Sequence, residues 1–287
     1  MDHVKPPTTY REQLNILAAR GVIVEDEPVC EEILANINYY RLTAYLLPFK
    51  IADNQYAAGT SFIRVYRIYE FDRKLRNILF SALEEVEISL RARLSYYHAH
   101  KYGAVGYLEP SSFSPRHKHD SFKETFDREV RYNEKTPFVK HHIQHYGGLF
   151  PLWVASELFT FGMLSRFYAD MKTPDQKYIA RQFHTTDTNM RSWLRCCSDL
   201  RNICAHYGRL YYRVFTAIPA GYDDQYRRAA LSRLWGALLA LRGLFLNAEK
   251  WNAEVISPMS ALFEEYAGDV DLYHIAFPSD WEKLLRK

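Results

Sequence analysis

The residues best suited to chemistry lie in one string, Leu200-Arg201-Asn202-Ile203-Cys204-Ala205-His206-Tyr207-Gly208-Arg209-Leu210. An imidazole with a pKa near ~6.5 gives and takes protons at neutral pH. A guanidinium stays charged and grips phosphate through two hydrogen bonds, stabilising charge that builds there. RNA carries its own nucleophile, the 2′-hydroxyl. One Arg and one His beside a phosphate can therefore cut it with neither a metal nor a protein nucleophile. Asn202 can orient the imidazole or hold a phosphate oxygen. At ~100° per residue, Asp199, Asn202 and His206 share a helix face, while Arg201 sits ~140° from His206. Arg201 must then reach round the helix, or another subunit must supply the second partner. The spacing alone more often marks a surface ion pair or a satisfied helix-end histidine.

The surroundings are basic. From Arg181 to Arg213 there are six Arg against two Asp, a net +4 beside +3 for the whole chain. Tyr207, Tyr211 and Tyr212 interleave with Arg209 and Arg213, and Arg195 lies upstream in the same segment. Aromatic faces with guanidinium groups are what single-stranded RNA binding uses. A second string, Arg93-Leu94-Ser95-Tyr96-Tyr97-His98, repeats the spacing without the Asn, as a further half-site or as the polar end of a helix. Glu84, Glu87 and Arg91 share one helical stripe, either a polar cluster that positions Arg201 or an exposed salt-bridged face. Tyr39, Tyr40, Arg41 and Tyr45 fit RNA contacts or packing between helices.

Other chemistry is poorly supported. His141 and His145 have metal-pair spacing on a helix, but Pro137 and Gly147-Gly148 flank them and no carboxylate is placed. No metal and no cofactor is expected. Cys30, Cys196, Cys197 and Cys204 form no CxxC pair, so they read as reduced core thiols. No P-loop, dinucleotide fingerprint or GxSxG elbow occurs.

These side chains must be positioned by helices. Ser61 to Lys101 contains no Gly or Pro, and Phe62, Val65, Tyr69, Leu75, Leu79, Leu83, Val86, Leu90 and Leu94 recur at helical steps. The pattern predicts one long helix, or two meeting at a bend. Helices are also predicted over Thr9–Arg20, from Glu27-Pro28 to near Pro48, Leu152–Met171, from Thr173-Pro174, from Asp187 or Thr188 through Ile203, and over Asp223–Leu246. Residues 51–60 read as a loop. Residues 103–150 read as a Gly- and Pro-punctuated insertion with one short helix near Ser121–Tyr132. The stretch after Trp251 gives no clear pattern. β-alternation is nearly absent, so the class is all-α.

Composition agrees with a folded domain of this kind. The chain has 287 residues, 48% hydrophobic and 25% charged, with 22 Tyr and 17 Phe. Wholesale disorder is excluded, and a core large enough to need no disulfides is available. Arg outnumbers Lys, 24 to 13. The polar, Pro-containing N-terminus lacks a signal-peptide run, and no long uncharged apolar stretch predicts a membrane span. A cytoplasmic protein with no membrane association is expected.

Four blocks, Asn38–Phe49 (NYYRLTAYLLPF), Tyr69–Arg93 (YEFDRKLRNILFSALEEVEISLRAR), Ser156–Tyr168 (SELFTFGMLSRFY) and Leu200–Leu210, together resemble the bacterial abortive-infection Abi_2 family, the AbiD/AbiF-like proteins. The likeness spans roughly residues 10–215. The last block is also similar to the RNA-cutting signature of HEPN domains, which are helical bundles and in many cases metal-independent endoribonucleases. The resemblance implies antiphage defence, with Arg201 and His206 as catalytic pair and Asn202 as polar helper. It implies a homodimer, since HEPN nucleases bring two motifs together, and a small regulatory RNA or an antitoxin as partner beside the RNA substrate. Some HEPN proteins are binding modules only, so a non-catalytic RNA- or protein-binding role is the alternative. The expected organisation is an N-terminal helical segment over 1–58, a HEPN-like domain over 59–250 with its insertion at about 103–150, and a C-terminal tail over 251–287.

Overall fold

The chain is all-α, as its spacing predicts; the computed structural model describes residues 6–287, so the first five residues of the N-terminal lead-in lie outside the described residues. Helix α1 (Tyr10–Ala19) starts in a capping box: the Thr9 side chain accepts from the Glu12 N–H, and Glu12 accepts from the Thr9 N–H at 2.7 Å. Helix α2 (Glu27–Asn36) opens at Asp26 with Pro28 in its first turn. It does not run on to Pro48. Ile37 is extended, and the Asn38 side chain accepts from the Tyr40 N–H to start α3 (Tyr39–Thr43), followed by a 3₁₀ stretch over Ala44–Phe49. A short polar side chain that satisfies the backbone locally ends one helix and begins another. The expected loop at 51–60 includes a small antiparallel hairpin, β1 (Lys50–Ala52) with β2 (Gln55–Tyr56).

The long apolar pattern becomes one unbroken helix, α4 (Phe62–Tyr102), of 41 residues and ~60 Å. Its buried stripe from Val65 to Leu94 is the spine against which α2, α3 and many later helices pack. Residues 103–150 hold two helices rather than one, α5 (His119–Tyr132) and α6 (Pro137–Tyr146). The flanking Pro and Gly residues that suggested a loop serve instead as its first-turn residue and its left-handed C-terminal stop.

Helix α7 (Leu152–Ala155) and α8 (Phe161–Asp170) replace the single helix expected over 152–171. Phe159 is extended between them, and Thr160 caps α8 by accepting from the Met163 N–H. Helix α9 (Thr173–Gln182) precedes α10 (Asp187–Ala205), which Thr186 caps. Asp223–Leu246 also divides, into α11 (Arg228–Leu231) and α12 (Leu234–Leu244). The Ser232 carbonyl accepts from the Phe215 N–H at 2.8 Å instead of a helical partner, and Arg233 is extended. Helix α12 is almost wholly buried and packs closely on α10; a Cβ at Gly243 would lie 2.4 Å from the Trp193 ring, so only glycine allows this approach.

The C-terminal stretch is ordered and helical: α13 (Ala248–Trp251), a π turn over Asn252–Ile256, α14 (Ser257–Glu265) and α15 (Trp281–Leu285). Trp251, Ile256 and Met259 are fully buried, and α14 lies against α4.

Candidate active site

Helix α10 has two working faces. Met190, Leu194, Cys197, Leu200 and Cys204 fill the core. Burial pushes the Cys196 and Cys204 thiols up to about 12, and Cys197 rises well above its ordinary value. All three are packing residues without thiolate character. Arg195 and Asn202 point outward, and His206 is the exposed C-cap residue, its N–H donating to the Asn202 carbonyl at 3.0 Å.

Arg201 faces α4. Its Nε lies 3.7 Å from Glu87 Oε2, and its guanidinium stands 5.9 Å from the Phe80 ring centroid. Arg91 Nη2 donates to Glu87 Oε1 at 2.8 Å and to the Phe159 carbonyl at 3.0 Å. Glu87 thus lies between two arginines with its side chain only 14% exposed. Glu84 is exposed and has no ion pair or side-chain hydrogen bond among the described residues. Arg201 and Asn202–His206 occupy different flanks of α10, as the angular spacing requires, and no side-chain hydrogen bond joins the three among the described residues.

The turn after His206 is held from several sides. Tyr207 (φ 56°) is left-handed, with its N–H on the Cys204 carbonyl at 3.2 Å and the Gly208 N–H on the Ile203 carbonyl at 2.7 Å. This is a Schellman stop with tyrosine where glycine is usual, a conformation that costs roughly 1–2 kcal/mol. The cost is offset by tertiary contacts. Arg41 Nη1 donates to the Tyr207 carbonyl at 2.7 Å, Arg76 Nη1 to the Gly208 carbonyl at 3.3 Å, and Arg209 Nη1 to the Ala44 carbonyl at 2.9 Å. The Leu210 and Tyr211 N–H groups donate to Asp72, which also accepts from the Tyr45 hydroxyl at 2.7 Å and from Arg76. Asp72 is fully buried. Burial pushes its carboxyl up from the ordinary range, opposed by Arg76, Tyr45 and the two backbone donors.

Asp72 and Arg76 are therefore residues the sequence reading passed over. Their signal was available: an acid and a base at i,i+4 on an otherwise apolar stripe of α4. Tyr45 and Arg41, which fitted either RNA contact or packing, are occupied in holding this turn.

The other expected positions separate clearly. Tyr207, next to His206 in the chain, and Arg213 are exposed at the surface. Tyr211 is not available to a base; it is 1% exposed, and its hydroxyl meets His274 Nδ1 at 2.7 Å and donates to the Asp271 carbonyl. Arg209 is likewise half-buried against Ala44, and Tyr212 lies between Arg233 and His274. Arg93 and His98 do not form a half-site. Arg93 reaches Gln182 at 2.9 Å, whereas His98 is fully buried among Tyr102, Phe113 and Phe167 with neither ring nitrogen partnered. Its pKa is pushed down to about 4, chiefly by burial.

A groove of about 770 Å³ runs along the outward face of α10, between α8 and residues 216–220, and Arg195, Asp199 and Asn202 line it. Burial raises the Asp199 pKa against the pull of Arg195 and Arg213.

The family model for Abi-like proteins, Abi_2, matches residues 32–212, about two thirds of the chain. The chain belongs to the Abi-like family. The matched span begins inside α2 and ends at Tyr212, so it takes in Arg41, Tyr45, Asp72 and Arg76 together with the turn they hold. Membership associates this Abi-like chain with abortive infection, a phage-defence response. No curated protein and no solved structure matches it. No helix among the described residues is long and apolar enough to cross a membrane.

Proposed function

We propose that this Abi-like protein is a HEPN-type endoribonuclease that cleaves RNA through attack of the 2′-hydroxyl on the adjacent phosphate. The observation that carries the reading is the end of α10: Asn202 and His206 stand exposed on one flank, in front of a turn fixed by a buried carboxylate, with Arg201 on the other flank. Fixed placement of an acid–base group and of a phosphate-binding cation is what such chemistry needs.

In the proposed reaction His206 takes the 2′-hydroxyl proton or protonates the leaving 5′-oxygen. The 2′-oxygen bonds to phosphorus as the bond from phosphorus to the 5′-oxygen breaks. The products are a 2′,3′-cyclic phosphate and a 5′-hydroxyl. Arg201 stabilises the charge on the phosphoryl oxygens, and Asn202 orients the imidazole or holds one oxygen. Because Arg201 and His206 lie on different flanks of one helix, each site is completed by a second copy related by a two-fold axis.

The test compares native protein with His206→Ala and Arg201→Ala on mixed RNA in EDTA. Loss of cleavage by at least 100-fold in either variant, with cyclic phosphate ends from native protein, is the expected result. Equal cleavage by native protein and His206→Ala, or cleavage that requires a metal, sinks the mechanism. RNA retained without new ends would favour the binding-module alternative.

A further inference from the structure

The groove beside α10 does not end at α8. A second groove, of about 410 Å³, lies on the other side of that helix against α5, and Arg166 lines both. Arg191 and Arg195 stand in the first groove; Arg116 and Lys118 stand in the second. Against these five cations the two grooves present Asp199 and Asp170. Asp170 is engaged, since its Oδ2 meets His117 Nδ1 at 2.9 Å.

Four of the five cations are free. Among the described residues, Arg116, Lys118, Arg166 and Arg195 have exposed side chains with no ion pair and no side-chain hydrogen bond. Arg191 alone is engaged, donating to Gln176 at 3.1 Å and lying 3.8 Å from Asp187. Some arginines elsewhere pair with carboxylates, as at Arg67–Asp269 and Arg73–Glu70, and others, such as Arg128 and Arg181, are exposed without an ion pair among the described residues. A run of unpaired guanidinium groups in a concave surface has no folding role and concentrates positive potential. Half-buried Phe122 also lines the second groove, its ring packed against Phe113, His117 and Phe167. Along α10 the same stripe passes from Arg195 through Asp199 to Asn202, and His206 is the next residue on that face.

We infer that these two grooves form one continuous track for the backbone of single-stranded RNA, leading from Arg116 and Lys118 across Arg166 to Arg195 and on to His206. The inference rests on the ribonuclease reading for the identity of the strand. It assigns the phosphate contacts to residues outside the proposed catalytic set. Each free cation takes one phosphate.

The probe is a fluorescein-labelled 2′-O-methyl RNA oligonucleotide of mixed sequence, which lacks the attacking hydroxyl and so reports binding without cleavage. Full-length native protein, Arg166→Gln and the double variant Arg116→Gln/Lys118→Gln are titrated over a range of salt. Arg166→Gln weakens binding roughly tenfold and reduces the slope of log K against log salt by about 0.7; the double variant reduces it by about 1.4. Melting temperatures stay at the native value, since all three side chains are exposed and unpaired. The oligonucleotide cannot be cut, so failure of cleavage and failure of the track are read separately. Native affinity and slope in Arg166→Gln overturn the track whether or not the protein cuts RNA. Competition by polyglutamate as effective as that by the oligonucleotide overturns the assignment to RNA.

Discussion

Glu87 and Glu84 lie three residues apart on one helical stripe, yet only one has a task. Glu87 lies within reach of both Arg91 and Arg201 and is mostly shielded from water. Removing it leaves two half-buried guanidinium groups uncompensated. Glu87→Ala should cost on the order of 2 kcal/mol in a denaturant titration and lower RNA cleavage by disordering Arg201. Glu84→Ala should stay within ~0.5 kcal/mol of native stability, as exposed substitutions generally do. Equal effects would show that Glu87 does not hold Arg201. His98 supplies a second measurement at this scale. Its ring is neutral and unpartnered in the folded protein, with a pKa of about 4, against an ordinary value near ~6.5 when unfolded. Between those values the unfolded chain binds more protons, so stability is complete above ~pH 6.5 and falls as pH drops towards 4. The loss attributable to His98 is on the order of 3 kcal/mol. His98→Phe should flatten the stability profile between pH 6.5 and 4; an unchanged slope would assign the acid sensitivity to other groups.

Among the elements, the join between α4 and the turn after α10 matters most. One carboxylate, Asp72, accepts from Arg76, Tyr45 and two backbone N–H groups of that turn. Asp72→Ala would strand a buried guanidinium and two backbone donors at once. The expected cost is above ~3 kcal/mol, with loss of cleavage, because the turn that follows His206 is no longer fixed. Hydrogen exchange at the Leu210 and Tyr211 amides reports the turn directly, and native-like protection there would contradict this role. The same join explains how Tyr207 remains left-handed despite its side chain.

For the whole molecule, the last 36 residues belong to the core. Trp251 closes onto the Leu285 carbonyl through its indole N–H at 2.8 Å, and the C-terminal lysine carbonyl accepts from Asn252 at 2.8 Å. Deleting residues 252–287 uncovers apolar faces of α4 and α12. The truncated chain should aggregate in size-exclusion chromatography, whereas a monodisperse product would show that the tail is dispensable. The helical class and the extent of the α4 segment were legible from periodicity because apolar steps of three and four over forty residues leave no other regular structure; that it is one helix and not two was left open. The breaks at Ile37, Phe159 and Ser232 were not legible, because each is made by a partner distant in sequence or by a local polar side chain that an apolar pattern does not register.

The candidate site divides along the same line. Residue types and spacing by themselves determined that Arg201, Asn202 and His206 sit on one helix and that Arg201 points away from His206, since both follow from chain chemistry and the helical repeat. Only the tertiary structure decided that Tyr211 and His98 lie in the core, that Asp72 fixes the turn, and that five cations from three separate segments line two grooves meeting at Arg166. Burial and convergence depend on which helices meet, and that is set by contacts between residues far apart along the chain.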